Sequence, residues 1–286
     1  VINPTLDDNS RRYLSILMLL GSLNSCSSLP NPDSIFLPKA IEETSGLASI
    51  ENDFLTHNDS GDKAKLYRIN KQGELLNTYF IDGAINRDWE DLAQDDSYYY
   101  VADTGNNFGK RKDLTIYIVT KDFHLKDSIK IQYAKQKTFK KDKKTKYDAE
   151  ALVAYGDSLL IFSKNRKSYD THLYAFPKKA GEYSLSRIKK FTVKTLITAG
   201  DFSNKSKRMV LTGYLPDRSQ YLFIAENFSL KTLDKVIFNR YRLAFKKAQV
   251  EAIKILEDES IWISSEGEGS ATPFLQKIDL TNLKQE

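Results

Sequence analysis

Five short segments, repeated along the chain at similar intervals, constrain its fold more than any other feature. Each places a polar or acidic residue at the start of an apolar, strand-forming run: Thr44–Ala48, Trp89–Ala93, Ala149–Val153, Ala199–Ser203 and Val250–Lys254. Their alignment gives one column, made of Ser45, Glu90, Glu150, Gly200 and Glu251, with separations of 45, 60, 50 and 51 residues. A repeat of this period indicates a solenoid or a propeller.

Further strand-like segments follow each of these runs. The predicted second strands are Asp53–His57, Tyr98–Asp103, Ser158–Ser163, Arg208–Tyr214 and Ser260–Ser265. The predicted third strands are Lys65–Ile69, Leu114–Val119, His172–Phe176, Gln220–Ala225 and Phe274–Leu280. Short β-rich runs separated by turn residues favour an all-β fold, and the constant spacing favours blades.

The last repeat has three predicted strands, and no fourth strand is predicted after them. Four repeats carry one, predicted at Leu75–Ile81, Ile129–Tyr133, Ser186–Val193 and Val236–Leu243. Ile35–Ile41 precedes the first repeat in the corresponding position, so we expect it to pair with the last blade and close the ring, which removes exposed sheet edges. The sequence therefore predicts a five-bladed β-propeller. A six-bladed ring, with a blade hidden between Glu90 and Glu150, is the alternative.

Length and composition agree with one globular propeller. The chain has 286 residues, 41% hydrophobic and 12% aromatic, with 16 Tyr and 15 Phe, a balance that favours strands. Its formal net charge of +5 comes largely from lysines, including the run Lys135–Lys146. That run lacks interleaved aromatic residues and a recognition helix, so we interpret it as a solvated loop and expect no nucleic-acid partner.

The first stretch of the chain has the pattern of an export signal. Arg11 and Arg12 precede the apolar run Tyr13–Leu23, which is short for a membrane span. Leu23–Cys26 resembles the bacterial lipobox, and this resemblance implies cleavage before Cys26 and attachment of lipid to it. Cys26 is the only cysteine, so no disulfide forms within the chain. A signal peptide that merely contains a cysteine is the alternative.

These patterns predict three regions and a location. Residues 1–25 are expected to be a lipoprotein signal peptide, residues 26–34 a lipidated cysteine with a polar tether, and residues 35–286 the propeller. We expect a monomer held by its lipid in the cell envelope of a bacterium, with the outer membrane as the expected membrane.

The repeated acidic column indicates a metal site on the propeller axis. Innermost strands all start near the axis on one face, so Ser45, Glu90, Glu150 and Glu251 should converge there. Converging carboxylates repel each other unless a cation neutralises them, and Ca²⁺ accepts six to eight oxygen ligands in flexible geometry. Two alternatives stay open: the glutamates bond the backbone of a neighbouring blade, or they act in acid–base catalysis. Gly200 interrupts the column.

Loops that follow the second strands return to the same face and add candidate ligand-binding residues. With the neighbours of the column, the set is His57, Asp59, Asp88, Asp103, Asp148, Lys164, Arg166, Asp201, Tyr214 and Glu266. His57 is a candidate general base, or it only hydrogen-bonds within its turn. Lys164 and Arg166 either hold an anionic ligand or pair with the carboxylates.

Four strings carry a resemblance to known proteins: His57–Asp62, Asp88–Asp91, Ala102–Asn107 and Tyr147–Ala151. Over about Ile35 to Leu280, they resemble uncharacterised exported bacterial propeller lipoproteins, akin to the phytase-like (esterase-like) and SdiA-regulated propeller families. This resemblance implies the fold and the compartment. A weaker one is to calcium-activated apyrases, which implies an axial calcium held by Ser and Glu. Ser45, Glu90, Glu150 and Glu251 match that order, whereas Gly200 departs from it.

Three classes of function are compatible with these residues. The first is a lipid-anchored binding module whose face, with Ca²⁺, takes an unknown small molecule or protein. The second is a metal-dependent phosphohydrolase, apyrase-like or phytase-like, in which Lys164 and Arg166 polarise phosphate. The third is a glycoside hydrolase with paired axial carboxylates. The fold alone does not choose among them.

Overall fold

The strands of the structure, a computed structural model that describes residues 33–245, 248–267 and 271–286, form five separate sheets. The first strand is β1 (Ile35–Phe36). Blade I contains β2 (Thr44–Ile50), β3 (Asp53–Asn58), β4 (Lys65–Ile69) and β5 (Leu75–Phe80). Blade II contains β6 (Trp89–Gln94), β7 (Tyr98–Asp103), β8 (Leu114–Thr120) and β9 (Leu125–Tyr133).

The remaining strands complete the ring. Blade III contains β10 (Asp148–Tyr155), β11 (Ser158–Lys164), β12 (Thr171–Pro177) and, after β13 (Gly181–Leu185), β14 (Lys189–Phe191). Blade IV contains β15 (Leu196–Ser203), β16 (Arg208–Tyr214), β17 (Gln220–Ala225) and β18 (Asn239–Leu243). Blade V contains β19 (Gln249–Ile255), β20 (Ile261–Glu266) and β21 (Phe274–Ile278), and the last strand of the chain is β22 (Lys284–Gln285). The prediction of five blades is confirmed, and that of six is wrong.

The amount of burial along each strand reflects its distance from the axis. The innermost strands are buried over almost their whole length, as in β6 and β10, because neighbouring blades cover both of their faces. The outer strand β9 instead alternates buried and exposed residues over its last five positions, since only one face packs on a neighbour. The innermost strands therefore carry any residue that points to the axis.

The ring closes as predicted, through pairing of the two ends of the propeller. Ile35 pairs with Leu275 and Phe36 with Phe274, so β1 becomes the outer strand of blade V. The predicted strand Ile35–Ile41 is longer than the observed one. Pro38 has no backbone N–H for a sheet ladder, and Lys39–Ile41 forms a 3-10 turn whose Ile41 is fully buried between blades V and I.

Two additional strands cover the outer edges of blades II and IV, and the sequence pattern did not predict them. The segment Gly181–Leu185, from the chain of blade III, adds to β9 of blade II as a parallel strand. The short β22 adds to β18 of blade IV. Both cover backbone groups that an outermost strand would otherwise expose.

Five apolar clusters, one between each pair of neighbouring blades, form the core. Between blades II and III, for example, Tyr100 and Ile116 pack with Leu152 and Ile161. Between blades III and IV, Phe162 packs with residues such as Phe223 and Met209. Each blade is thus stabilised by its two neighbours rather than by an interior of its own, which explains why the ring requires closure.

Buried polar groups fix the angular position of the blades. Asp91, at the start of blade II, accepts hydrogen bonds from the backbone N–H of Leu152 in blade III at 2.8 Å and of Gly200 in blade IV at 3.4 Å. The side chain of Asp201 similarly accepts from Ile255 N of blade V at 2.8 Å. These bonds hold the innermost strands in a defined register around the axis.

The expected signal peptide (1–25) and Cys26 lie outside the described residues, as does all of the expected tether except Asp33 and Ser34. Within the described ranges, no helix has the length and apolar character needed to cross a membrane. The lysine run at 135–146 lies in an irregular segment between β9 and β10, and its lysines are exposed. This agrees with its interpretation as a solvated loop.

Candidate metal and ligand site on the propeller axis

Three glutamates occupy equivalent positions in three blades. Glu90, Glu150 and Glu251 each fall where the innermost strand shifts register against its neighbour, between Trp89 and Asp91, Ala149 and Ala151, and Val250 and Ala252. At such a β-bulge the extra residue leaves the ladder and its side chain is redirected, which is why bulges are common beside functional sites. Local backbone geometry therefore supports the repeated acidic column.

The other two members of the predicted column do not share this position. In blade IV the shifted residue is Thr198 rather than Gly200, and in blade I the shift falls at Gly46 and Leu47, next to Ser45. The hydroxyl of Ser45 donates to the Glu90 carbonyl at 2.5 Å, and that of Thr198 donates to the Val250 carbonyl at 2.7 Å. These hydroxyls thus bond the backbone of another blade, the structural alternative considered for the column.

Within the described ranges, Glu90, Asp148 and Glu150 form a close group of acidic side chains. One carboxylate oxygen from each lies within 4.8 Å of the others, and all three residues are buried. The arrangement could hold a metal ion, and its all-oxygen donors suit a hard cation. Asp148 joins Glu90 and Glu150 in this group, whereas Ser45 and Glu251 do not belong to it.

Two cations already pair with part of this cluster. Lys164 Nζ lies 2.7 Å from Glu150 Oε2 and 4.0 Å from Glu251 Oε1. Arg166 contacts Asp148 Oδ2 at 3.0 Å and Glu150 Oε1 at 3.6 Å. Asp148 is also bonded at its second oxygen, which accepts from Asn106 N at 2.6 Å. Both oxygens of the Asp148 carboxylate therefore have a close partner, whereas Glu150 has one at a single oxygen, Oε2.

Glu90 differs from its two neighbours because it has no such compensation. It is only 6% exposed, yet within the described ranges its carboxylate accepts no hydrogen bond and pairs with no cation, and it lines the axial cavity. Burial raises its pKa well above the usual range, and Glu150, Asp88, Asp59 and Asp148 raise it further. A buried carboxylate without a partner is costly unless a proton or a cation neutralises it.

Gly105 makes room for this carboxylate and for the neighbouring Asp88. A Cβ at Gly105 would lie 2.0 Å from Glu90 Oε1 and 2.3 Å from Asp88 Oδ2, so any larger residue would displace both side chains. The Asp88 backbone is fixed in turn, because its N–H donates to Asp103 Oδ1 at 3.0 Å, and Arg111 pairs with that same oxygen at 3.0 Å. Glycine is thus required here for space.

Several carboxyl groups around the axis have strongly raised pKa values. Burial, with the charge of Asp59, raises the pKa of Asp88 to about 7, and burial with Glu150 raises that of Asp148 to about 7. Burial raises the pKa of Glu251 to about 8, against the opposing effect of Lys164. Lys164 itself has a raised pKa, because Glu150 and Glu251 outweigh its burial. The site therefore takes up protons at neutral pH that a bound cation would displace.

A cavity of about 250 Å³ opens above this cluster. Its lining consists of Ser45, Asp59, Glu90, Asn107, Glu150, Lys164, Arg166, Tyr214, Gln249, Glu251 and Glu266. These residues come from the starts of innermost strands and from the loops after second strands, as the propeller topology predicts. Nine of the candidates therefore face a common space, and the pairing of Asp148 with Arg166 and the position of Asp88 beside Glu90 add two more.

The remaining candidates lie elsewhere. His57 is fully buried beneath Gly46, with its ring edge against Trp89 at 5.4 Å, and burial lowers its pKa to about 4. Asp103 forms an ion pair with Arg111 behind the site. Asp201 pairs with Lys254 at 2.8 Å and lines a second cavity, of about 600 Å³, at the opposite ends of the innermost strands.

Sequence reasoning did not select Gln249, Arg111 or Gly105. Gln249 lines the cavity two residues before Glu251, as Asp88 precedes Glu90 and Asp148 precedes Glu150, so the spacing held a signal for it. Arg111 and Gly105 act through contacts across loops, and no local pattern marks them. A polar residue two positions before the shifted glutamate is thus part of the repeat.

The comparisons with known proteins show the fold. No family profile matches the chain. No curated protein is significantly similar to it. Among solved structures, a glutaminyl cyclase of Myxococcus xanthus matches with a TM-score of 0.53 and 10% identity, over 87% of this chain and 94% of that one. A protein of unknown function from Bacteroides caccae matches with a TM-score of 0.47 and 9% identity, over 85% and 81% of the two chains. The match to the glutaminyl cyclase, at 10% identity, supports the β-propeller fold and says nothing about activity.

Proposed function

We propose that this protein is an exported, lipid-anchored binding module whose axial cavity holds a divalent cation such as Ca²⁺ as part of its ligand site. The observation that carries the proposal is the Glu90 carboxylate, which is buried, faces the cavity and has no compensating partner among the described residues. The lipid anchor at Cys26 rests on the sequence pattern alone.

The donor atoms at the site fit a hard cation. Glu90 offers both oxygens, and Glu150 offers the one that does not contact Lys164. Asp148 contributes less, because both of its oxygens already accept hydrogen bonds. Asp88 lies beside Glu90 over Gly105 and can add an oxygen or hold a bound water. Ca²⁺ commonly completes its shell with water, so two or three carboxylates suffice.

The two catalytic alternatives have weaker support from the geometry. A phosphohydrolase needs cations that can turn to phosphate, whereas Lys164 is 4% exposed and bonded to Glu150, and Arg166 is held by Asp148. A glycosidase needs carboxyl groups about 5–5.5 Å apart for a retaining mechanism or about 6.5–9.5 Å apart for an inverting one. One oxygen from each of Glu90, Asp148 and Glu150 lies within 4.8 Å of the others, which is closer than either. A binding role requires neither feature.

Thermal unfolding with and without Ca²⁺ tests the proposal. A cation at 100 times its dissociation constant stabilises the native state by about 2.7 kcal/mol, which for a domain of this size raises the Tm by roughly 5–10 °C. Glu90→Gln should lose most of this rise. Its melt in chelator should be no lower than that of the wild type, because a neutral amide avoids the cost of burying or protonating the carboxylate. Glu182→Gln makes the same change at an exposed glutamate, so Ca²⁺ should raise its Tm as much as it raises that of the wild type.

A second pair of variants distinguishes loss of the cation site from a general loss of stability. Gly105→Ala should weaken the Ca²⁺ response, since its Cβ displaces the Glu90 and Asp88 carboxylates. Gly156→Ala introduces strain at a φ of +51° but meets no atom within 4 Å, so it should lower the Tm and leave the response intact. A wild-type melt that Ca²⁺ does not change, or an undiminished response in Glu90→Gln, would rule out the cation site.

A further inference from the structure

The charges around the axial cavity identify the chemical class of its ligand. Among the described residues, the cavity is lined by the carboxylates of Asp59, Glu90, Glu150 and Glu251, with Glu266, and by the cations Lys164 and Arg166. Within the described ranges the carboxylates of the cavity outnumber its cations, and repulsion between the carboxylates contributes to the raised pKa values of Glu90 and Glu251. A ligand that enters above the cation therefore meets a negative potential, which favours a positively charged group and disfavours phosphate.

Neither cation is available to an anionic ligand. Lys164 lies against Glu150 at 2.7 Å, and its Nζ is 4.9 Å from the centre of the Tyr214 ring. Arg166 is held by Asp148 at 3.0 Å and by the side chain of Asn107. To bind phosphate, either cation would have to turn away from a buried carboxylate. That carboxylate would then be buried without its partner, which is strongly destabilising.

One carboxylate oxygen of Asp59, a residue of the cavity lining, is buried without a hydrogen-bond donor among the described residues; this oxygen is Oδ1. Asp59 lines the cavity together with Glu90 and Glu251, and its charge raises the pKa values of Asp88 and Glu251. The rim of the cavity also includes Gln249 and Glu266. With the unpartnered, 6% exposed Glu90 below it, Asp59 forms a prepared site for N–H donors.

The chain already places an ammonium group in this environment. Lys164 Nζ sits between Glu150 and Glu251 and over an aromatic ring, an arrangement that recognises an amine through charge, hydrogen bonds and the ring face. The volume of about 250 Å³ is below the roughly 300–1,000 Å³ of pockets that enclose drug-sized ligands, so only a small head group can enter.

From these observations we infer that the axial cavity recognises a primary ammonium group, bound to Asp59 and the rim acceptors above the cation. The inference rests on the proposed binding function and specifies its ligand class. A peptide N-terminus, a lysine side chain and a polyamine share this chemistry.

Binding of small probes to the full protein in saturating Ca²⁺, followed by calorimetry, tests the inference. Butylammonium represents lysine and polyamines, and glycinamide represents a peptide N-terminus, so their relative affinities distinguish the sources. Tetramethylammonium has the same charge without N–H donors, and inorganic phosphate is the anion. We expect one or both primary amines to bind at least tenfold more tightly than tetramethylammonium and phosphate.

Asp59→Asn should weaken amine binding about tenfold or more while Ca²⁺ still raises the Tm, and Glu266→Gln serves as the second variant should Asp59→Asn fold poorly. Asp82→Asn, at an exposed carboxylate, is the matched control and should bind as the wild type does. Tighter binding of phosphate, equal binding of tetramethylammonium, or amine binding unaffected in both rim variants would overturn the inference. Loss of the Ca²⁺ response in the wild type would instead overturn the proposed function, so the two failures are distinguishable.

Discussion

Raising the pH should destabilise the cation-free protein, and Glu251 provides the clearest test. Its pKa is raised to about 8 by burial first, with Glu266 and Asp59 adding to the effect and Lys164 and Arg166 opposing it. An unfolded glutamate has a pKa of about 4.3, so between these values the native state holds a proton that the unfolded chain has released. Its contribution to stability is therefore complete below pH 4 and is lost as the pH rises through 8.

The magnitude follows from the same two values. Between pH 6 and pH 8.5 the free energy of unfolding should fall by about 2 to 3 kcal/mol for this one group, since each pH unit in the window is worth about 1.36 kcal/mol. For a domain of this size, that corresponds to a Tm lower by roughly 5–10 °C. Asp88 and Asp148, with pKa values raised to about 7, add to the fall in the lower part of the range.

The assay is denaturant unfolding in chelator at pH 6 and pH 8.5, repeated with excess Ca²⁺. Glu251→Gln carries a neutral side chain of the same shape, so it should lose about 2 to 3 kcal/mol less than the wild type between the two pH values. Glu182→Gln should lose as much as the wild type. Excess Ca²⁺ should reduce the fall, because the cation replaces the lost protons. A wild-type protein as stable at pH 8.5 as at pH 6 in chelator would refute the reasoning.

Two further predictions concern the ends of the propeller and its anchor. A protein that begins at Thr44 should lose about 3–6 kcal/mol, because Leu37 and Ile41 no longer fill the cluster between blades V and I; an unchanged thermal melt would show that β1 does not close the ring. Cys26→Ser should lose metabolic fatty-acid label and membrane association in a bacterial host, and equal labelling of both forms would remove the lipoprotein interpretation.

The sequence was sufficient for the number of blades, for most strand positions and for the closure of the ring. The inner strands of each blade pack between two neighbouring blades, so their apolar residues recur with every blade and mark the repeat. Strands such as Tyr98–Asp103 and Gln220–Ala225 were predicted with their observed bounds for this reason. The pattern failed at β13, because that strand adds to a different blade and carries no repeat.

The sequence also predicted that Glu90 and Glu150 would face one cavity. The sequence did not determine which residues join Glu90 and Glu150 in the acidic cluster. A β-bulge shifts the register of a strand, and a shift of one residue turns a side chain to the other face of the sheet. Thr198 therefore takes the place expected for Gly200, and Asp201 faces the opposite end of the axis.

Whether Glu90 has a partner was decided only by the tertiary structure. Lys164 and Arg166 lie in the chain of blade III and turn to Glu150 and Asp148 of the same blade. The carboxylate of Glu90 in blade II therefore has no compensating cation in the part of the chain that the structure describes. Charge balance at the axis depends on distances between side chains from different blades, and the order of residues along the chain does not contain those distances.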